Sequence, residues 1–579
     1  MSLISLRIAA MKRALVPVIA VVLLLGIMAA LMLGPMRDDS ATVDETSFLS
    51  AGYSYMQGYK FYFDPENPPL SQLLVAIPSS FMNVTLSEQA KALLDRRAGY
   101  SWTVPWFGEP QPVQTLFPQG RDSWYFWPKP EAQIFGQMLV YGGGNDGDAM
   151  MWWGRCLQVL VTLGIGVLIF FWVRRAVANY LAALLAVALW VFNPNALAYG
   201  HLITTDIDGA LGTTAAIMLF AIYLERPGLG QAALCGAALG MALTMKFNAL
   251  ALGPMFVVMA LVSWRTLKIA GAKLWKQGLV LAGAAWLVIL LAYAFAWAPA
   301  PPISSQQAGL LGVPGWFQAL RPVLIPCDFF KGIALAISHS RIGHEAYLMG
   351  QWSHSGWRTY FPIAFFLKSP LAFFLVTIAG ATLAVARWKS LPSLATAPWI
   401  AAAVYFGLAI TSNVNIGVRH LLTVFSLVCV GVGCVYAKLD KTWAKRALLG
   451  LAAWQAVAAI CAYPLYLQFM SEAVGGARNG YKYLLDSNYD WGQDAKRLKE
   501  FLDELGIKHI YLDYFGTQFS IEYLKIPNTR VNAEQARQIT RGTLVVSASQ
   551  LMRPEWSWLR EQKQPVDCVG YTLFVYQFP

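Results

Sequence analysis

The sequence predicts a polytopic α-helical membrane protein with a small α/β domain at its C-terminal end, and three observations carry that prediction. Hydrophobic residues make up 57% of the 579 and charged residues only 13%, with a mean hydropathy of +0.46; soluble proteins average about 25% charged. Apolar runs long enough to cross a bilayer recur along the chain. Beyond residue 467 the pattern changes to amphipathic and alternating segments.

Arg7, Lys12 and Arg13 precede the first run, 14–33. It is long for a signal-peptide core and reads as an uncleaved anchor entering from the cytoplasm. Further spans are expected at 151–173, 180–198, 207–224, 231–244, 249–264, 278–298, 361–386, 398–411, 421–437 and 447–467, about eleven in all. Segment 231–244 is short for a span and suits a tilted or partly re-entrant helix. Threading the runs alternately puts Arg174, Arg175, Arg226, Arg265, Lys268, Lys273, Lys276, Arg387, Lys389, Lys438, Lys441, Lys445 and Arg446 on the side of the N-terminus, as the positive-inside rule requires. An odd number of spans sends the C-terminus outside, together with the long loops 35–150 and 299–360. The chain thus divides into a membrane domain, 1–467, and a soluble extracytoplasmic domain, 468–579. In the latter, 494–505 has helical periodicity, Gly506 ends it, and 509–515, 542–547 and 571–578 read as strands.

The net charge of +12 does not indicate nucleic acid, because the basic residues lie mostly between hydrophobic segments. The seven cysteines form no CxxC pair; Cys156, Cys235, Cys429, Cys434 and Cys461 fall in apolar runs and read as packing residues. Cys327 and Cys568 lie in outer segments, where an oxidising compartment permits a bond between them. Trp102, Trp106, Phe107, Trp124, Tyr125, Phe126 and Trp127 crowd the first outer loop; interfacial anchoring explains them better than substrate stacking.

Four clusters of chemically competent residues converge on the outer face. The first is Asp44, Glu45 and Glu66, with Pro68 and Pro69 imposing an extended approach through Asn67 before a helix at 70–81. The second is His201, Thr204, Thr205, Asp206 and Asp208; the third is Lys246; the fourth is Arg419 and His420. Singly, each suits a structural ion pair at a helix end. Together, carboxylates and cations beside lipid suit an anionic lipid-linked substrate, with Arg gripping phosphate as a fork and a carboxylate accepting a proton. Trp357, Arg358, Tyr360 and Lys368 form either an interfacial aromatic-basic belt or a further phosphate contact. The run Asp486, Asn488, Asp490, Trp491, Gln493 and Asp494 reads as helix-capping chemistry. Its D-x-N-x-D spacing lacks the Gly and distal Glu of a calcium loop.

The Asp-Glu pair after the first span, E-N-P-P-L, H-L-I-T-T-D-I-D-G-A-L, N-I-G-V-R-H-L-L and D-S-N-Y-D-W-G-Q-D resemble, in that order over about residues 12–515, the polytopic GT-C glycosyltransferases. The likeness is to the bacterial branch similar to protein O-mannosyltransferases (glycosyltransferase family 39), and more distantly to the aminoarabinose transferases of lipid A. The resemblance implies an inverting enzyme of the bacterial cytoplasmic (inner) membrane. Such an enzyme moves one sugar from a polyprenyl-phosphate donor to a protein, lipid or glycan acceptor on the extracytoplasmic face. It makes Asp44 the general base, with Glu45 completing its motif and Asp206 matching the second-loop acid. Glu66 matches the acid before the Pro-Pro pair and joins His201 and Tyr360 as candidate substrate contacts. Arg419, His420, Lys246, Arg358 and Lys368 are the candidate donor-phosphate ligands. No cofactor is required, a divalent cation being the one addition left open. Two departures bear on the acceptor: Asn67 stands where the mannosyltransferase pattern has His, and 299–360 is too short for the large lumenal domain of the eukaryotic enzymes. The rival reading is a secondary transporter or flippase of a lipid-linked or anionic substrate. Transporters tend to carry repeats and midplane charges, whereas this chain has no evident repeat and places its charges at one boundary.

Overall fold

Backbone in hydrocarbon must satisfy its own N–H and C=O groups, so apolar runs that cross a membrane become helices. The computed structural model describes residues 3–59, 63–98, 129–263, 271–294, 320 and 324–579. The aromatic cluster between Trp102 and Trp127, and Arg265 and Lys268, lie outside them. The first run lies in α1 (Leu3–Leu33). The loop that follows is largely helical: α2 (Glu45–Met56), α3 (Pro69–Ala76), α4 (Glu88–Ala98) and α5 (Lys129–Tyr141). Then come α6 (Gly147–Val177), α7 (Tyr180–Val191), α8 (Pro194–Tyr199), α9 (Thr205–Glu225), α10 (Leu229–Met245), α11 (Leu252–Ser263) and α12 (Gly271–Tyr293). The second long loop supplies α13 (Cys327–Ile342) and a hairpin of β1 (Ala346–Leu348) and β2 (Gln351–Ser353). The remaining apolar helices are α14 (Tyr360–Lys368), α15 (Leu371–Ala386), α16 (Ser393–Ile410), α17 (Leu422–Tyr436) and α18 (Thr442–Cys461).

Among the described residues, seven helical stretches are long and apolar enough to cross a membrane, or eight if α14 and α15 count as one span. Among the described residues each expected span overlaps a helix, but two expectations need correction. Segment 361–386 is no straight helix: α14 and α15 meet at 119°, because Pro370 has no N–H to give and holds Ser369 in extended conformation. Segment 180–198 is likewise interrupted at Asn193 and Pro194, where the Asn193 side chain accepts from the amides of Asn195 and Ala196 and starts a new helix.

Two helices form the hub. The Val418–Tyr436 stretch is 94% buried and Thr205–Glu225 78%, against 22% for the α1 stretch and 17% for Leu274–Tyr293. The peripheral helices expose Leu23, Phe171, Leu279, Val385 and Ile460, an apolar surface that a bilayer would cover.

Past α18 the chain forms α19 (Ala495–Glu504) and β3 (Ile510–Asp513), β4 (Asn528–Arg530), β5 (Gly542–Ser547), β6 (Asp567–Val569) and β7 (Leu573–Phe578). The sheet runs β4-β3-β5-β7-β6, with β3 parallel to both neighbours and the other pairs antiparallel. Leu498 and Leu502 of α19 pack with Ile510, Leu512, Val545 and Leu573. This unit is tied to the loop after α1: Ser40 and Val43 donate their amides to the carbonyls of Gln493 and Trp491, at 2.8 and 3.2 Å. Cys327 is buried and Cys568 half-buried, and no disulfide joins them, so the bond their position permitted is not formed.

Candidate active site

Asp44 and Glu45 are neighbours at the start of α2, and the helical turn sends them in different directions. Glu45 is wholly buried. Arg155 of α6 forks onto it, Nε to Oε1 at 2.8 Å and Nη2 to Oε2 at 2.7 Å, and the amides of Ile203 and Thr42 donate to the same oxygens. Arg155 also donates to the carbonyls of Asp39 and Ser40. A carboxylate so saturated braces the loop and has no lone pair directed at a cavity. Asp44 instead faces Arg419, its Oδ2 3.5 Å from Nη2.

Asp206 sits in the first turn of α9, where the helix end favours negative charge and Thr204 caps the amide at 3.4 Å. Its Oδ1 accepts from Lys246 and its Oδ2 from Arg419 Nη1 at 3.3 Å. Lys246 comes this close because residue 209 is glycine: a Cβ there would lie 2.7 Å from that of Lys246. Arg419 leaves the short 3-10 turn Val418–Leu421, which runs into the buried hub helix α17. Its guanidinium lies over the Trp491 ring, 4.3 Å from the centroid. Among the described residues, Arg419 Nε and His420 Nε2 are buried with no hydrogen-bond partner.

These groups border two cavities. The first, about 280 Å³, is walled by Asp44, Glu66, Asp206, Lys246, His339, Arg419 and His420, with Phe247, Ala251, Leu408 and Ala409 supplying apolar wall. The second, about 300 Å³, lies toward the C-terminal domain; Asp44 and Arg419 belong to both, and Tyr347, Trp352, Tyr360, Asp486, Trp491 and Arg553 line it. Thus Asp44, Glu66, Asp206, Lys246, Arg419 and His420 are brought together, and Tyr360 joins through the second cavity.

Glu45, His201, Arg358 and Lys368 wall neither cavity. His201 lies 3.1 Å from Asp39 through Nε2 and is held by the Leu197 carbonyl through Nδ1. Burial alone would raise the Asp39 carboxyl, but Arg497 and His201 together hold it down at about 2. Arg358 is exposed. Lys368 is buried at the α14–α15 bend, where it donates to the carbonyls of Leu467 and Asn488 at 2.8 and 2.6 Å.

Glu66 is held differently from the expected extended approach. Asn67 and Gln72 both donate to the Asp64 carboxylate, closing a turn on the start of α3, and Glu66 pairs with His339 of α13. The expected helix 70–81 ends at Ala76 and resumes as a 3-10 turn at Pro78. The acidic run before α19 is also not capping chemistry. Asp494 occupies the N-cap position without a capping bond, and its carboxylate accepts from Gln468, Thr572 and Arg497. The sequence reading missed His339, Tyr405 and Asn248 as cavity wall and Trp491 as the platform for Arg419. Of these only Trp491, inside D-S-N-Y-D-W, carried a local signal.

Among the described residues, no group of three or more His, Cys, Asp and Glu side chains is placed to hold a metal ion.

Residues 147–295 match the family model described as dolichyl-phosphate-mannose-protein mannosyltransferase. No curated protein sequence matches the chain. Among solved structures, ArnT from Cupriavidus metallidurans in the apo state is similar at 12% identity and a TM-score of 0.46, covering 96% of this chain and 97% of that one. The same protein bound to undecaprenyl phosphate gives 13%, 0.44 and the same coverage. The S. cerevisiae protein O-mannosyltransferase Pmt1-Pmt2 complex bound to the sugar donor gives 17% and 0.30, over 49% of this chain and 33% of that one. The family match thus covers residues 147–295, and over that stretch the chain resembles the protein O-mannosyltransferases.

Proposed function

We propose that the chain transfers a single sugar, with inversion, from a polyprenyl-phosphate donor to an acceptor hydroxyl on the extracytoplasmic face of the bacterial cytoplasmic membrane. One observation carries the reading: Asp44 and Arg419 stand together at the junction of two cavities. Lys246 and His420 lie on the side of the first. That cavity has the cations and the apolar wall that a lipid-linked phosphate needs, and the second gives an acceptor access to Asp44 from the opposite side.

The chemistry follows from these placements. The acceptor oxygen attacks the anomeric carbon while its proton passes to the Asp44 carboxylate, and the bond from that carbon to the phosphate oxygen breaks. Charge accumulating on the departing polyprenyl phosphate is met by Arg419, Lys246 and His420. Asp206 keeps both cations aimed by accepting from each. Purified protein incubated with a panel of radiolabelled polyprenyl-phosphate sugars should move label off the lipid for at least one of them. Retention of label for every donor, by folded protein in lipid, overturns the reading.

A further inference from the structure

We propose that the acceptor is a saccharide, bound in the second cavity and oriented there by Asp486. The inference rests on the transferase reading above and specifies its acceptor.

The walls of this cavity suit a sugar ring on two counts. A pyranose presents flat C–H faces and hydroxyl edges. Tyr347, Trp352 and Trp491 offer aromatic faces, and Asp44, Glu345 and Asp486 offer acceptor oxygens. An anionic acceptor fits poorly, because both arginines on this wall already face carboxylates. Arg553 forks onto Glu345 at 2.8 and 3.3 Å and lies 4.8 Å over the Trp352 ring, while Arg419 faces Asp44 and Asp206. A neutral polyol matches what is left.

Asp486 is held in place by its neighbours. It adopts φ +55°, a left-handed conformation uncommon outside glycine. The residues beside it are bonded on several sides: Ser487 Oγ donates to the Ile416 carbonyl at 2.7 Å, and the Ser487 carbonyl accepts from Tyr199. Asn488 accepts from the Val418 amide and donates to Tyr360 Oη, both at 2.8 Å. A strained residue so firmly fixed at a cavity wall is a mark of function, and here it puts a second carboxylate beside the proposed base.

The test uses full-length protein in nanodiscs, with whichever radiolabelled polyprenyl-phosphate sugar loses its label. Methyl α-mannoside, methyl β-glucoside and a Ser/Thr-containing peptide are offered separately at 10 mM as an assay setting, roughly an order above common KM values. Label is expected on a glycoside and not on the peptide. Asp486→Gly keeps the left-handed turn without steric cost and removes the carboxylate, with the bond it accepts from the Ser487 amide. It should raise KM for the glycoside about tenfold or more while KM for the donor moves by less than about twofold, the pattern of a lost acceptor contact. Trp352→Leu should raise the glycoside KM as well, so the proposal does not hang on one variant. Transfer to the peptide alone, or label reaching only water with each of the three acceptors, overturns the saccharide assignment and leaves the transferase reading standing. A lipid that keeps its label with every donor defeats the transferase reading itself.

Discussion

At the level of single residues, Asp44 and Glu45 are adjacent in sequence and opposite in role. Asp44 borders both cavities, whereas Glu45 is enclosed by Arg155 and two backbone amides. Asp44→Asn keeps the shape and loses the proton acceptor. Turnover should fall about 100-fold or more, with the melting temperature near wild type; normal turnover in the folded variant removes Asp44 from the chemistry. Glu45→Gln turns an amide NH₂ or a half-paired contact toward a buried guanidinium. It should cost about 3–5 kcal/mol, seen as a lowered melting temperature or lost expression, and an unchanged melting temperature contradicts the bracing role. Arg419→Lys retains charge but not the fork; donor affinity should drop about tenfold, the size of one charged hydrogen bond. Unaltered affinity would move the phosphate contact to Lys246 and His420. Residue types and their order were legible in the sequence. The partition between base and brace was not, because it depends on Arg155, which lies 110 residues from Glu45 in the chain.

For whole elements, the apolar runs and the strands at 542–547 and 571–578 were readable because hydrocarbon and pleated sheet each impose a simple period. The α14–α15 bend was missed because hydropathy averages over Lys368, Ser369 and Pro370 as if they belonged to one rod. The junction between the sheet and the membrane helices also escaped, since its partners are backbone groups that any sequence possesses. That junction has a pH signature. Asp490 is buried, with Ser549 donating to its carboxylate at 2.7 Å, and burial pushes its carboxyl up to about 7. The folded state therefore keeps a proton that the unfolded chain gives up near pH 4, so stability should fall as pH rises from about 4 to 7. Asp490→Asn should flatten that slope in melting temperature against pH. Asp39, held down at about 2, acts in the opposite sense and loses its contribution only as pH falls from about 4 toward 2. A wild-type melting temperature that rises between pH 4 and 7 would contradict the Asp490 assignment.

Across the whole molecule, the basic loops predict one orientation, with the sheet and both cavities on the side away from Lys389 and Lys441. In a Cys461→Ser background, Lys508→Cys should react with an impermeant maleimide from outside intact cells. Lys441→Cys should react only after permeabilisation; both positions are exposed. The reverse pattern would mean the spans are miscounted. Nearly all of the packing that unites the apolar helices with residues beyond 467 was invisible in sequence, because it joins residues hundreds of positions apart, such as Tyr199 with Ser487. The bond from the Val418 amide to Asn488 makes the cation-bearing turn and the start of the soluble domain a single mechanical unit. Thermodynamic reciprocity then applies: the factor by which a donor clasping Arg419 tightens the hold of residues 486–494 on the membrane helices is the factor by which that hold tightens the donor. Hydrogen exchange across the sheet should therefore slow when a polyprenyl phosphate binds tens of residues away in sequence, and loosening the sheet should release the lipid.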